Sequence, residues 1–359
     1  MILKNKKVKE KQKMKRRYLS TLAGTMAAAM MVCGGTVFAE ETPDSLDIVW
    51  VTCSTESEFW QYQQIGMENA VKDMAEKYGI EINFTTVGPA TEAETEAYIR
   101  AFENAVASKP NAIISATQVP DSTIAVSKEA MDQGIVVNFT NCGLEPMDSD
   151  EYSDCYNQFY TTVSSDIGDM AGKVMLELME KAGIEAKGTV AMEFSNVNPA
   201  LQPRMDNFKA YLEANSELTV LDTLYNNNDL NQGQADIENE IATYGDDLVG
   251  IYGANNTSGD AIALAVENAG IKDKVITIGV DSDPTEIAAL EAGTIDCIIV
   301  QDAYGQGYAA LENAVETIME GANPESEQKV AMAPVAVTTD NMHEDEYAAM
   351  LDPTLKKAE

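Results

Sequence analysis

The sequence predicts an α/β protein built from two doubly wound, Rossmann-like lobes. Apolar runs typical of strands alternate with helix-like segments along nearly the whole chain after residue 46, as in parallel sheets covered by helices. An acidic, loop-like break at residues 141–158 divides this alternation into two similar series. The length of 359 residues also fits two domains better than one. We therefore expect two lobes with a ligand cleft between them.

The first series has four strand patterns and a short closing one, at Leu46–Cys53, Glu81–Val87, Ala112–Ala116, Ile135–Phe139 and Phe159–Val163. Apolar residues at helical spacing lie between them, at Gln61–Tyr78, Glu94–Ala107 and Thr123–Gln133. This order predicts a βαβ series and hence a parallel sheet.

The second series begins with a helix and repeats the alternation. Its strand patterns are Thr189–Phe194, Leu218–Leu224, Leu248–Tyr252, Val275–Val280, Cys297–Val300 and one near Val330–Val337. Its helical patterns are Ile167–Ala182, Arg204–Ala214, Gln234–Tyr244, Gly259–Ala269, Thr285–Ala292 and Tyr308–Met319. The runs at 275–280 and 297–300 are apolar throughout, which indicates strands buried on both faces.

The first 39 residues have the pattern of a secretory signal peptide. Lys4 to Arg17 is strongly basic, Leu19 to Val32 is apolar, and small or apolar residues precede a cleavage position after Ala39. The basic region is long, so the start codon is either Met1 or Met14. We expect an exported protein, located in the periplasm or at the outer face of the cell membrane.

A membrane anchor is not expected. The apolar run of the signal is shorter than the ~20 residues that a membrane span needs. Cys33 could be lipidated, but Val32 before it is a poor match to the small residue that such a site requires.

The composition excludes some classes of partner. The net charge is −35 and the pI about 4.2, which argues against nucleic acid because such a partner needs clustered basic surface. Cys53 and Cys297 lie in apolar strand patterns and are expected to be buried. Cys142 and Cys155 flank the acidic loop, and the spacing leaves open whether they form a disulfide.

Polar and aromatic side chains follow many of the predicted strands at their carboxyl ends. They are Phe59, Trp60, Asn141, Arg204, Asn255, Asp281 and Gln301. In open parallel sheets, ligands bind outside the carboxyl ends of the strands. Planar Asp, Asn and Arg groups can bridge neighbouring hydroxyls, and aromatic rings can cover the C–H face of a sugar ring. The set therefore predicts a site for a small, polyhydroxylated ligand.

Each of these residues also has a purely structural interpretation. Asp281 could cap the next helix and Gln301 could simply begin a loop. Phe59 and Trp60 could be core residues at the start of a helix. Asn255 could cap the helix from Gly259, and Arg204 could pair with nearby Asp206. Taken together these interpretations weaken, because chance would not place so many such residues at one edge.

At these residues the sequence resembles the ribose-binding-protein-like periplasmic binding proteins, the solute-binding subunits of sugar ABC transporters. The resemblance runs from Asp47 to about Thr339. Its most specific segments are Ser57-Glu58-Phe59-Trp60, Val87-Gly88-Pro89, I-G-V-D at 278–281, and G-T-I-D-C-I-I-V-Q-D at 293–302 with Tyr304 and Gly307-Tyr308 after it.

The resemblance implies roles for the candidate residues. Phe59 and Trp60 would stack on the ligand, while Arg204, Asn255, Asp281 and Gln301 would bind sugar hydroxyls. Asn141 falls where the family often has Asp, and Cys142 where the ribose-type proteins have Arg. This departure puts ribose specificity in doubt, so the ligand stays open among hexoses, pentoses, sugar alcohols, nucleosides and non-sugars. Asp229 lies near another ligand position of the family.

The resemblance also implies a hinge of three strands that cross between the lobes. The crossings would lie near Ser164–Asp166, at Gln301–Asp302 and near Asn323–Lys329. Residues 46–164 with 302–325 would then form the N-terminal lobe, residues 165–301 with 326–345 the C-terminal lobe, and residues 346–359 a tail. A ligand that bridges both lobes would stabilise a closed form that a transporter permease recognises.

An enzyme is not expected. The turn after the first strand has no G-x-G-x-x-G, a P-loop is absent, and His343 is the single histidine, so no triad or metal cluster can be drawn. A DNA-binding repressor of this fold is excluded by the export signal. We expect a monomer that binds a small molecule and a permease, without cofactor or metal. The alternative is an exported sensor of the same fold that serves a chemoreceptor or a histidine kinase.

Overall fold

The computed structural model describes residues 43–198 and 201–356. The predicted signal peptide, its cleavage after Ala39, the possible start at Met14 and the possible lipid site at Cys33 all lie outside these residues. Within the described part of the chain, no helix combines the length and apolarity needed to cross a membrane.

The first lobe contains a six-stranded parallel sheet. Its strands are β1 (Ser45–Val51), β2 (Glu81–Val87), β3 (Ala112–Ser115), β4 (Val136–Thr140), β5 (Gln158–Thr162) and β12 (Lys329–Met332), in the spatial order β12-β5-β4-β3-β1-β2. Its helices are α1 (Glu58–Tyr78), α2 (Thr95–Ser108), α3 (Pro120–Asp132) and α9 (Ala303–Glu320). The strand order reverses beside β1, which creates the crevice where doubly wound sheets bind ligands.

The second lobe repeats this arrangement. Its strands are β6 (Lys187–Phe194), β7 (Glu217–Val220), β8 (Leu224–Tyr225), β9 (Leu248–Gly253), β10 (Ile276–Val280), β11 (Cys297–Val300) and β13 (Val335–Val337). The order is β13-β11-β10-β9-β6-β7, with β8 also paired to β6 and β13 antiparallel at the edge. The helices are α4 (Ser164–Ala182), α5 (Gln202–Asn215), α6 (Leu230–Tyr244), α7 (Asn256–Ala269), α8 (Pro284–Ala292) and α10 (Asp345–Leu351). Both lobes confirm the predicted doubly wound α/β class.

Apolar strands sandwiched by amphipathic helices form the cores. Strands β3, β4, β10 and β11 are buried along their whole length, as the apolar runs in the sequence predict. The first lobe has one large core, in which Trp50, Phe102 and Phe139 are fully buried. Cys53 and Cys297 are buried in the two cores, as expected from the sequence.

The chain crosses between the lobes at three places. Val163 joins β5 to α4, and Gln301 and Asp302 join β11 to α9. The third crossing lies at 333–334, between β12 and β13, and not near Asn323–Lys329 as the sequence predicts. The single strand expected at 330–337 is therefore two strands in different sheets. Pro334 explains the break, because its ring fixes φ and it has no N–H for a ladder.

The predicted assignment of residues to the two lobes and the tail is therefore wrong in two places. Residues 329–332 pair with β5 in the first lobe, although the predicted boundary assigned residues 326–345 to the second. Residues 346–356 are not a free tail. Leu351 is buried in the second lobe, and the turn Pro353–Lys356 lies on α1 of the first lobe, where the carbonyl of Lys356 accepts a hydrogen bond from Asn69 at 2.7 Å. The apolar residues of α10 and the amide of Asn69 hold this segment.

Candidate functional site

A deep cleft separates the carboxyl ends of the two sheets. Loops that follow β1, β2, β3 and β4 line it from the first lobe, and loops that follow β6, β8, β9 and β10 line it from the second. Its volume is about 1300 Å³, so it has room for a small molecule and surrounding water. This is the position that the strand-end rule predicts.

All seven residues singled out in the sequence line this one cleft. Phe59, Trp60 and Asn141 come from the first lobe, Arg204, Asn255 and Asp281 come from the second, and Gln301 lies on a crossing segment. The structure thus brings the whole set together, and the remaining question is what holds each side chain there.

Gln301 connects the two lobes through its side-chain amide. Its oxygen accepts a hydrogen bond from Asn141 Nδ2 at 3.1 Å, and its Nε2 donates to Asp281 Oδ1 at 2.6 Å. Gln301 and Asp281 are both buried. An amide with one donor side and one acceptor side suits this position because it can face an amide and a carboxylate at once. Gln301 is therefore more than the first residue of a loop.

Asp281 does not cap the following helix. That cap is Asp283, whose Oδ1 accepts from the backbone N–H groups of Thr285 and Glu286 at 2.8 and 2.9 Å. Asp281 instead has a left-handed φ of +78°, which aims its side chain into the cleft. Burial raises its pKa, while the nearby guanidinium of Arg204 and the bond from Gln301 oppose that rise.

Arg204 lies in the first turn of α5 and is 3% exposed. Its Nη1 donates to the carbonyl of Ala254 at 2.6 Å, and it forms no ion pair with Asp206, which bonds Gln202 instead. Gly168 of α4 allows α5 to approach, because a Cβ there would lie 2.2 Å from the carbonyl oxygen of Arg204. The buried Nε of Arg204 has no hydrogen-bond partner among the described residues, which leaves a donor for a ligand.

Phe59 and Trp60 are both core and cleft residues. They are 8% and 2% exposed, belong to the core of the first lobe, and also line the cleft. Their rings meet edge to face with centroids 5.0 Å apart. The indole N–H of Trp60 donates to Glu92 at 2.6 Å. The core interpretation and the site interpretation are therefore compatible.

Asn255 occupies the cap position of α7, but its side chain does not bond the helix backbone. Its Nδ2 donates to Asn228 Oδ1 at 3.0 Å, and its Oδ1 accepts from the Ser258 hydroxyl at 2.7 Å. Asp229, beside Asn228, also lines the cleft and caps α6 through the N–H groups of Asn231 and Gln232. Asn255 is therefore the N-cap residue of α7 by position but does not cap it through its side chain, whereas Asp229 caps α6 through its carboxylate.

Sequence reasoning missed a second layer of residues that meet across the mouth of the cleft. Gln118 of the first lobe accepts a hydrogen bond from Asn198 of the second at 3.2 Å. Glu92 of the first lobe accepts from Asn228 of the second at 3.4 Å. Glu92 and Gln118 follow β2 and β3, so the strand-end rule could have found them if all strand ends had been considered.

Cys142 and Cys155 are not bonded to each other, so the open question of a disulfide is answered in the negative for this structure. The thiol of Cys142 donates to Asn141 Oδ1 at 3.0 Å beside the cleft. Burial raises its pKa to about 12, with Glu92 as the next cause, so it stays a neutral thiol. Among residues 43–198 and 201–356, no group of three or more acidic, His or Cys side chains could hold a metal ion.

Comparisons with known proteins agree with this architecture. The model of the "Periplasmic binding protein domain" family matches residues 48–322. The D-allose-binding periplasmic protein of Escherichia coli (strain K12) is 21% identical over 306 residues, covering 85% of this chain and 93% of that protein.

Two solved structures are similar over most of the chain. A solute-binding protein from Agrobacterium vitis with bound D-fucose has a TM-score of 0.74 and 25% identity, covering 85% of this chain and 99% of that one. A carbohydrate transporter solute-binding protein from Agrobacterium radiobacter in complex with D-arabinose has a TM-score of 0.73 and 22% identity, with coverages of 86% and 99%. With the two-lobed fold and the family match over residues 48–322, these likenesses confirm the resemblance seen in the sequence: the chain belongs to the periplasmic binding protein family and has the type I fold of the solute-binding proteins of sugar ABC transporters.

Proposed function

We propose that this protein is an exported solute-binding protein that captures a monosaccharide or related sugar between its lobes and delivers it to an ABC permease. The observation that carries the proposal is the single cleft lined by polar and aromatic side chains from both lobes, with Gln301 bonded to both Asn141 and Asp281. Amides, a carboxylate, a guanidinium and aromatic rings are the groups that suit a polyhydroxylated ligand.

In the proposed mechanism, Asp281 accepts and Arg204 donates hydrogen bonds to neighbouring hydroxyls, while Phe59 and Trp60 cover the C–H face of the ring. Asn141, Asn255 and Gln301 contribute further amide bonds. Such a ligand contacts both lobes at once, so it stabilises the closed arrangement relative to an open one. The direct bonds across the mouth, from Asn198 to Gln118 and from Asn228 to Glu92, would add to closure.

The choice of ligand and destination rests on the relatives and on the amino terminus. The similar proteins are described as binding D-allose, D-fucose and D-arabinose, so these three sugars are the first candidates. The basic and apolar pattern of residues 1–39 supports export. No catalytic step is part of the proposal.

Calorimetric titration of the purified protein with a panel of hexoses and pentoses tests the ligand class. We expect at least one sugar to bind, and Asp281→Ala to weaken that sugar by about 2–4 kcal/mol because a buried charged hydrogen bond is lost. Asp206→Ala removes an exposed carboxylate two residues from Arg204 and should leave affinity unchanged. Equal binding by the Asp281→Ala protein and the native one would refute the site, and absence of binding by every sugar would refute the ligand class.

Export and transport need separate experiments. Fractionation of the producing cells should recover the protein outside the cytoplasm, shortened at its amino terminus. A neighbouring gene pair for a permease and an ATPase would support transport, and a neighbouring histidine-kinase gene would instead support the sensor alternative.

A further inference from the structure

Two carboxylates face the same part of the cleft from opposite lobes. Glu92 lies in the loop after β2, Asp281 lies directly after β10, and both line the cleft. They are near enough for the charge of Asp281 to raise the pKa of Glu92, in addition to the larger effect of burial. Like charges at such a position oppose closure unless something of opposite charge lies between them.

The protein supplies one compensating charge for the two carboxylates. Among the described residues that line the cleft, Arg204 is the single basic side chain, and its Nη1 is already engaged by the carbonyl of Ala254. The guanidinium opposes the rise that burial causes in the pKa of Asp281, but two ionised carboxylates, Asp281 and Glu92, carry one negative charge more than Arg204 balances. The nearby thiol of Cys142 is neutral.

Asp281 also has an oxygen without a partner. The side chain is 8% exposed, and its Oδ1 accepts from Gln301, but its Oδ2 accepts no hydrogen bond from any described residue. Glu92 is held in place by the indole of Trp60 and the amide of Asn228, so its position is fixed by both lobes. The cleft therefore offers a donor one carboxylate that is held in place, Glu92, and one carboxylate oxygen without a protein partner, Oδ2 of Asp281.

We propose that the sugar or polyol bound by this protein carries a protonated amino group, and that this ammonium lies between Glu92 and Asp281. The proposal rests on the proposed sugar-binding function and narrows its ligand class. A neutral sugar would leave the charge of one of these two carboxylates uncompensated once the bound ligand displaces water, which is costly at low dielectric. An ammonium has three donors and forms charge-assisted bonds with both carboxylates.

Four further carboxylates line the cleft, at Glu56, Glu58, Asp121 and Asp229. In a chain of net charge −35, carboxylates of this kind occur on most surfaces and do not distinguish the site. Glu92 and Asp281 differ from them because each accepts a hydrogen bond from the side chain of another cleft residue and the two lie on opposite lobes.

Matched pairs of sugars test the proposal. The purified protein is titrated calorimetrically at pH 6 with D-glucosamine, D-galactosamine and D-mannosamine, with the three parent hexoses, and with the three N-acetylated forms. We expect at least one amine to bind ten times or more tightly than both its parent and its N-acetyl form, because acetylation removes the charge and keeps the ring. If a parent hexose binds as tightly as its amine, the inference is overturned while the proposed function stands.

Glu92→Gln then tests the role of the carboxylate, since glutamine keeps the shape and removes the charge. The preference for the amine should fall at least tenfold, with the parent sugar bound as before or better. Glu103→Gln, an exposed change on α2 away from the cleft, is the matched control. If Glu92→Gln weakened the binding of the amino sugar and of its parent hexose equally, Glu92 would only support the structure. That result would overturn its assignment as a ligand of the ammonium group. If none of these nine saccharides binds but a neutral sugar of the wider hexose and pentose panel does, the inference is overturned while the proposed function stands. If no sugar of either panel binds, the proposed function fails and the inference fails with it.

Discussion

Asn141 and Asp281 occupy equivalent positions in the two lobes and share a backbone conformation that residues other than glycine rarely adopt. Asn141 follows β4 with φ of +56°, and Asp281 follows β10 with φ of +78°. The two side chains are bonded to the two ends of the same amide, Gln301. Asn and Asp adopt left-handed backbone more readily than other non-glycine residues, and such positions are frequent at functional sites. The fold therefore places matching left-handed turns on both sides of its cleft.

Gln301→Ala should destabilise the protein and weaken ligand binding together. It removes the donor to Asp281 Oδ1 and the acceptor for Asn141, both at buried or part-buried positions. We expect the free energy of unfolding in urea to fall by about 1–3 kcal/mol, because a buried polar group is left unsatisfied. The control Gln133→Ala changes an exposed glutamine of the first lobe and should change the free energy of unfolding by less than about 0.5 kcal/mol. Equal stability of the two variants would contradict the bridging role.

Trp60 should report ligand binding by fluorescence. The chain has two tryptophans, and Trp50 is fully buried in the core while Trp60 lines the cleft. We expect a change of emission on adding the sugar identified by calorimetry, and we expect that change to disappear in Trp60→Phe, because the remaining indole has no access to the ligand. Trp50→Phe is the paired control and should keep the signal. A signal that persists in Trp60→Phe would assign it to Trp50 and would contradict stacking by Trp60.

Glu286 should make the protein less stable as pH rises. The side chain is fully buried, and neither carboxylate oxygen has a hydrogen-bond partner among the described residues. Burial raises its pKa well above the ordinary value, and the neighbouring carboxylates Asp283, Asp260 and Asp281 add to the rise. The folded protein therefore binds a proton that the unfolded chain releases at its ordinary pKa of about 4.3. Stability from this group is fully present below that pH and is lost as pH rises toward the folded pKa.

Urea unfolding at pH 5 and pH 8 measures the effect of Glu286. We expect the free energy of unfolding to be lower at pH 8, and we expect Glu286→Gln to reduce that difference, because glutamine is uncharged at both values. Glu291→Gln changes an exposed residue at the end of the same helix and should leave the difference intact. An unchanged pH difference in Glu286→Gln would show that other carboxyls, such as Asp260 with its pKa raised to about 8, cause it.

Residues 353–356 should contribute to stability, because they tie the second lobe to the first. The carbonyl of Lys356 accepts from Asn69, and its ammonium lies 4.3 Å from the centre of the Tyr304 ring. A chain that ends at Asp352 loses both contacts, and we expect its free energy of unfolding to fall by about 1–2 kcal/mol. A chain that ends at Lys356 keeps them and is the matched control. Identical urea unfolding curves for the two truncated chains would contradict the stabilising role of residues 353–356.

Much of the fold could be predicted because it depends on local patterns. Apolar runs of four to seven residues separated by amphipathic helices specify parallel sheets. The runs at 275–280 and 297–300 are predicted to be buried strands, and the structure has buried strands there. The gathering of Asp281, Arg204 and Asn141 at one cleft follows from the same geometry, since parallel strands end at one edge.

Sequence patterns alone could not locate the third crossing or the C-terminal contact. The apolar residues at 330–337 are continuous enough for one strand, and only pairing with β5 on one side and β11 on the other divides them at Pro334. The segment 346–356 is short, and its contact with α1 joins residues that are 287 positions apart in the chain. Contacts at such separation leave no periodic signal in a sequence.

The sequence by itself determined the fold class, the two lobes and the edge at which the polar residues lie, because periodicity and strand ends are local properties. Tertiary structure alone decided that Gln301 joins Asn141 to Asp281, and that Glu92 faces Asp281 while bonded to Trp60 and Asn228. These relations depend on how two lobes approach each other. That approach is set by close packing between helices and by three crossing segments, which no run of neighbouring residues encodes.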